Sequence, residues 1–159
     1  MMDKLRELVI TALAIALTSS VYALPDRVGD FALLDSDGSF HQLSRYRNRE
    51  ALVLMSFDSS CSSIATAISQ LRSLQMDWSD QGVAFAFLES SGEADIETIR
   101  TTKAEYGLDL PLLIDNGQLV TETLSLSRAG EVAILDPERL TLIYRGTALE
   151  SAVQSLARE

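Results

Sequence analysis

Cys61 is the only cysteine in the 159-residue chain, and it lies in the run Asp58-Ser59-Ser60-Cys61-Ser62-Ser63. A thiol does its chemistry as the thiolate, and hydroxyls beside it favour that form or hold a bound peroxide. Ser60 and Ser63 are therefore candidate helpers, with Ser59 and Ser62 in the same run. Asp58 works the other way, because a carboxylate close to sulfur disfavours a second negative charge. With one cysteine no disulfide can close within the chain, which excludes a two-cysteine mechanism inside one molecule. A thiolate that attacked a peroxide would become a sulfenic acid, and an external thiol would have to reduce it through a mixed disulfide. The other reading of Cys61 is a small buried residue without chemistry, since free cysteine is among the most buried residue types.

The remaining chemically capable residues read more plainly. His41, the only histidine, falls within an expected hairpin, where a surface or packing role is commoner than catalysis. One Cys and one His give no metal-ligand spacing, so no metal or other cofactor is expected. Arg45, Arg47 and Arg49 alternate with other residues as a solvated edge does, and the acidic stretch 89–97 reads as a solvated loop and helix start. Trp78, Tyr106 and the phenylalanines fall at spacings that suit a core.

The elements that must position Cys61 follow from hydrophobic periodicity. Residues 51–57, Ala-Leu-Val-Leu-Met-Ser-Phe, form an apolar run of strand length suited to the centre of a sheet. After the serine-rich run, Ile64, Ile68, Leu71, Leu74 and Trp78 recur at helical spacing, so Cys61 is expected at a strand-to-helix junction, opening the helix. At such a position the backbone N–H groups and the positive end of the helix dipole favour thiolate. Upstream, residues 31–34 and 40–43 flank Asp35-Ser36-Asp37-Gly38-Ser39 and predict a small β-hairpin. Downstream the pattern predicts a strand at 83–88, a helix at 95–106 stopped by Gly107, and a strand at 111–114. A short helix at 118–126, strands at 131–135 and 140–144, and a terminal helix at 147–156 complete the order.

Before all of these, Lys4 and Arg6 precede an apolar run at 8–17, and Val21-Tyr22-Ala23 offers small residues for cleavage. This is the plan of a secretory signal peptide over residues 1–23, cut after Ala23, and the run is too short for a spanning anchor of about 20 residues. One domain, 24–159, remains, with no membrane association expected once the signal is cut. The formal charge of −10 survives the cut, because Asp3 and Glu7 balance Lys4 and Arg6. So acidic a chain repels phosphate backbones and anionic lipid, which argues against nucleic-acid binding and membrane docking.

The element order is that of an α/β, thioredoxin-like three-layer sandwich with an N-terminal β-hairpin, and the resemblance that follows implies its peroxiredoxin type. The phrases Val28-Gly29-Asp30-Phe31, Asp35-Ser36-Asp37-Gly38 and His41-Gln42-Leu43-Ser44 carry a further likeness. So do Gln81-Gly82-Val83-Ala84-Phe85, Tyr106-Gly107, Pro111-Leu112-Leu113-Ile114-Asp115 and Ala133-Ile134-Leu135-Asp136-Pro137. Together with Phe57 and Cys61 they resemble the redoxin group of alkyl hydroperoxide reductase C and thiol-specific antioxidant proteins, in a single-cysteine branch. In typical peroxiredoxins a Pro and a Thr stand where this chain has Leu54 and Asp58. Thioredoxins carry a second cysteine where it has Ile64, and the usual cis-proline loop is matched by Ser127-Arg128-Ala129-Gly130-Glu131. The resemblance places that loop opposite the cysteine and makes Arg128 a candidate counter-charge for the thiolate or for Asp58.

Two functions follow as expectations. The first is a periplasmic or secreted thiol redox protein in which Cys61 is the nucleophile and Arg128, Ser60 and Ser63 assist. It would act on a peroxide or a protein disulfide, with an external thiol or another exported oxidoreductase as reductant. The second is a non-catalytic module that keeps the scaffold to bind a partner protein, marked by a buried, unreactive Cys61 and an exposed apolar patch.

Overall fold

The computed structural model describes residues 26–58, 60–92 and 95–147. The expected signal peptide and all but the first residue of the expected terminal helix lie outside them. Strand β1 (Ala32–Leu34) pairs antiparallel with β2 (Phe40–Gln42) as a separate hairpin. The main sheet contains β3 (Ala51–Phe57), β4 (Val83–Glu89), β5 (Leu112–Ile114), β6 (Val132–Asp136) and β7 (Thr141–Gly146), ordered β5-β4-β3-β6-β7. Strands β3, β4 and β5 run parallel, while β6 and β7 pair antiparallel, so β3 is central and mixed in its pairing. Three helices are described: α1 (Ile64–Trp78), α2 (Ile96–Glu105) and α3 (Leu119–Thr123).

All seven residues of β3 are buried, as its continuous apolar run demands, and period-two alternation sends them to two cores. Ala51, Val53, Met55 and Phe57 join Val83, Phe85, Phe87, Val132 and Ile134 on one face, beneath Ile64, Ile68, Leu71 and Leu74 of α1 and Ile99 of α2. Leu52 and Leu54 join Ala86, Leu88, Ala133 and Leu135 on the other, covered by Val120, Leu124 and Leu126 around α3 and by Val28 and Leu43. These are the three layers. Among the described residues no helix is long and apolar enough to cross a membrane.

The N-terminal segment covers both edges of this sheet. Arg27 bridges Thr141 beyond β7 and Asp35 bridges Leu113 beyond β5, so the chain crosses the second face from one edge to the other. Exposed edge strands invite pairing with other chains, and this strap occupies one position on each. Its far end is fastened by a polar cluster. Asp35 accepts from the N–H groups of Asp37 and Ser39 through one carboxylate oxygen, at 2.9 and 2.8 Å. The other oxygen receives His41 Nε2 at 2.9 Å, and His41 Nδ1 lies 2.5 Å from the Tyr46 hydroxyl. His41 thus has the packing role expected of it. Burial works to raise the Asp35 carboxyl, but the hydrogen bonds from His41, Ser39 and Asp37 outweigh it and hold it below the ordinary carboxylate value. Burial and the Asp35 charge push the Tyr46 phenol upward.

Several sequence expectations are corrected. The second hairpin strand ends at Gln42, because Leu43–Tyr46 turns into a 3-10 helix that buries Leu43. Phe40 is not core: it is 47 % exposed on the outer side of the hairpin, with the Arg45 guanidinium stacked 4.8 Å over its ring. Ile96 stands exposed in the first turn of α2, whose Asp95 caps the N–H groups of Glu97 and Thr98. Glu89 is not in a solvated loop but buried at the end of β4, where it accepts from Ser91 N–H. Helix α3 stops at Thr123 rather than 126, as Ser125 takes a positive φ of 50° and breaks the helical path.

The polar cluster sets a stability prediction. A carboxyl held below its unfolded value stabilises the fold above that value, and the stabilisation is lost as pH falls through the lower folded value. Unfolding free energy should therefore fall below about pH 4, and Asp35→Asn should flatten that acid slope. His41→Ala should lower stability by about 1–3 kcal/mol at neutral pH by leaving a buried carboxylate short of a donor. Urea titrations across pH measure both, and an unchanged midpoint in His41→Ala would refute the fastening role.

Candidate active site

Strand β3 delivers the chain to the site at its C-terminal end, where parallel strands commonly present ligand-binding loops. After Phe57 the backbone makes two consecutive tight turns, with Cys61 N–H donating to the Asp58 carbonyl and Ile64 N–H to that of Cys61. The α-helix begins only at Ile64, so Cys61 does not open it but stands in the turn that leads in. The sulfur is neither buried nor fully free: Cys61 is partly exposed and packs against the first core, as Ala67 and Ala129 also do.

What surrounds the sulfur decides its charge. Ser63 Oγ lies 3.2 Å from Cys61 Sγ. Ser63 occupies the N-cap position yet makes no capping bond to the helix, because its hydroxyl is turned to the sulfur. This hydroxyl, then the Ser63 N–H, draw the thiol below its ordinary value, with the Ile64 N–H a smaller help. Partial desolvation and the Asp58 carboxylate oppose them, and the balance is a lowered thiol pKa.

The four candidate residues are not all brought together. Ser63 reaches Cys61. Ser60 does not serve the sulfur, since its N–H and hydroxyl both donate to one oxygen of Asp58, at 2.8 and 2.7 Å. Arg128 is also occupied elsewhere: its Nε lies 3.6 Å from the Glu131 carboxylate, and it is not among the groups that shift the thiol. It does share with Asp58 the wall of a cavity of about 240 Å³ that opens beside the cysteine turn.

The 127–131 loop is built differently from a cis-proline loop. No cis peptide occurs among the described residues. Gly130 N–H donates to the Ser56 carbonyl and Ser56 N–H to the Glu131 carbonyl, both at 2.8 Å, which extends the β3–β6 ladder to the edge of the site. Gly130 has φ +83° and its α-carbon comes close to Ala67, where an added Cβ would lie 3.2 Å from the Ala67 methyl. Proline, fixed near φ −65° and lacking an N–H, cannot occupy that place. Glu131 steadies the loop from within, its buried carboxylate accepting the N–H groups of Ser127 and Arg128 at 2.6 and 3.1 Å.

The chain matches the AhpC/TSA family over residues 24–149. It belongs to that family. AhpC/TSA redoxins are typically thiol oxidoreductases and peroxidases, and this chain has a single cysteine. A search of curated proteins found no match. Among solved structures, a hypothetical protein of Sinorhizobium meliloti 1021 is 25 % identical, with 80 % of this chain and 72 % of that one aligned at TM-score 0.64. Peroxidoxin BcpB of Mycobacterium tuberculosis is 17 % identical over 84 % and 93 %, at TM-score 0.67. The pneumococcal exposed lipoprotein thioredoxin of Streptococcus pneumoniae strain TIGR4 is 21 % identical over 82 % and 100 %, at TM-score 0.66. The last two are likenesses of fold, and they agree with the mixed sheet and hairpin described above.

Sequence reasoning passed over Ser56 and Glu131 in this AhpC/TSA site. Ser56 is a polar residue inside an apolar strand, and Glu131 is a carboxylate at the start of another. Both are local breaks in pattern that mark a loop tied to the sheet.

The opposed influences on Cys61 can be separated. Ser63→Ala should raise the apparent thiol pKa and slow alkylation at neutral pH, whereas Asp58→Asn should lower it and speed alkylation at mildly acidic pH. Iodoacetamide rates against pH decide the matter; identical profiles for Ser63→Ala and wild type would remove Ser63 from the site.

Proposed function

We propose that this AhpC/TSA protein is an exported thiol redox protein that works through Cys61 alone, by peroxide reduction or by thiol–disulfide exchange with a partner. The observation that carries the reading is the partly exposed Cys61 sulfur, 3.2 Å from the Ser63 hydroxyl and held toward thiolate by it and by backbone N–H groups. A non-catalytic scaffold has no need of a solvent-facing thiol so disposed, and for that reason the partner-binding reading ranks second. The basic start, apolar run and small residues of 1–23 support cleavage after Ala23 and a periplasmic or secreted location.

In the peroxide reaction the Cys61 thiolate attacks one oxygen of the O–O bond. The S–O bond forms as the O–O bond breaks, and the departing hydroxide or alkoxide takes a proton to leave as water or alcohol. Cys61 is then a sulfenic acid, oxidised by two electrons. With no second cysteine in the chain, an external thiol displaces hydroxide from that sulfur to form a mixed disulfide. A second external thiol releases the Cys61 thiol and carries the electrons away as a disulfide. Exchange with a partner disulfide uses the same nucleophile and the same mixed disulfide. Arg128 contributes through the loop it shares with Glu131, a positioning role one step removed from the sulfur.

Peroxide consumption in the presence of dithiothreitol should be catalysed by the wild type and abolished in Cys61→Ser, and reduction of a model protein disulfide is followed in parallel. Wild type that turns over neither substrate, with an alkylation profile like that of a free thiol, would overturn the redox reading and favour the partner-binding one.

A further inference from the structure

The mixed-disulfide cycle leaves open which thiol arrives at Cys61, and the cavity of about 240 Å³ beside the cysteine turn bears on that choice. Cys61 does not itself line the cavity; Asp58, three residues before it, forms one wall, and Ala129, which packs on the same core as Cys61, forms another. Most of the polar groups around the cavity are already engaged. Thr121 donates to Asp115, Ser127 to Glu131, Gln118 to the Ser90 carbonyl, and Ser90 pairs with Ser56. Three charges retain capacity. Asp58 uses only one carboxylate oxygen, for Ser60, and the other has no partner among the described residues. Glu122 is exposed and has no side-chain partner among them. Arg128 is 79 % exposed, and of its guanidinium only Nε is engaged, at 3.6 Å from Glu131.

A cavity with two uncompensated carboxylates and one open guanidinium suits a ligand that bears an ammonium and a carboxylate together. Its volume lies below the roughly 300–1,000 Å³ of pockets for drug-sized molecules and is of a scale for something the size of an amino acid. Resting on the thiol-redox reading, we propose that this cavity docks the reducing thiol and selects a low-molecular-weight zwitterionic thiol of the aminothiol-acid class. Its ammonium sits between Asp58 and Glu122, its carboxylate meets Arg128, and its sulfur is presented to Cys61 across Asp58 and Ala129. The incoming thiolate attacks the oxidised Cys61 sulfur; a new S–S bond forms as the S–O bond of the sulfenic acid breaks, and hydroxide leaves with the proton the thiol gave up. A second molecule of the same thiol then attacks the mixed disulfide, restoring Cys61 and leaving as the small-molecule disulfide.

The test separates this selectivity from peroxide chemistry. Cys61 in the full chain is converted to its mixed disulfide with dithiobis-nitrobenzoate, and release of the chromophore is timed with four thiols, each rate expressed per thiolate. Cysteine carries both charges, cysteamine only the ammonium, mercaptopropionate only the carboxylate, and mercaptoethanol neither. Cysteine should exceed mercaptoethanol by about fivefold, the worth of one partly exposed charge pair, and mercaptopropionate should be the slowest. Glu122→Gln should reduce the cysteine-to-mercaptoethanol ratio, and Arg128→Gln should erase the difference between cysteine and cysteamine. Equal rates for cysteine and mercaptoethanol, or a ratio unmoved in both variants, would overturn the proposal. A Cys61 that exchanges with this selectivity yet consumes no peroxide would leave the docking site standing and refute only the peroxidase half of the function. A Cys61 that accepts no label at all would sink both.

Discussion

Two backbone hydrogen bonds hold the site in place. Ser56 takes the N–H of Gly130 on its carbonyl and gives its own N–H to Glu131, at the point where β3 ends and the chain turns toward Cys61. On one side of this junction lies the turn that carries Cys61, on the other the 127–131 loop, so the spacing between turn and loop is set by a continuation of the sheet ladder. The ladder reaches so far because β3 is buried along its whole length and anchored in both cores. Glycine at 130 follows from the same constraint: the N–H is needed, φ is positive, and Ala67 of α1 leaves little room for a side chain.

The charge state of Cys61 is a contest at short range. Ser63 gives up its capping role to bond the sulfur, while Asp58 opposes thiolate from the other end of the turn. Asp58 is in turn held by Ser60, which explains why a serine adjacent to the cysteine does not assist it. The result is a thiol pKa below the ordinary value, in a chain that has no second cysteine. The carboxylate that opposes the thiolate also lines the neighbouring cavity.

Much of the architecture was legible in the residues. The run at 51–57 is apolar at every position but one, and only a central strand can bury both of its faces. The helical spacing from Ile64 to Trp78 and the glycine stop at 107 both correspond to observed elements. The less legible parts are those where polarity misleads. Glu89, Glu131 and Asp35 look like surface residues by type, but each is buried and satisfied by nearby N–H groups. Phe40 and Ile96 look like core by type but are exposed, one under an arginine and one at a helix start.

The sequence by itself determined the order of elements, the presence of a single thiol and the impossibility of a disulfide within the chain, because hydrophobic periodicity and the count of cysteines are properties of the chain alone. Which hydroxyl serves Cys61 was decided only in three dimensions. Ser60 and Ser63 are both short polar neighbours, and their roles part when the turn points one at Asp58 and the other at the sulfur. Arg128 was likewise assigned by its loop, where the buried Glu131 draws it from the cysteine. Side-chain direction within a turn depends on backbone dihedrals fixed by packing of β3, β6 and α1, and no spacing rule in the sequence carries that information.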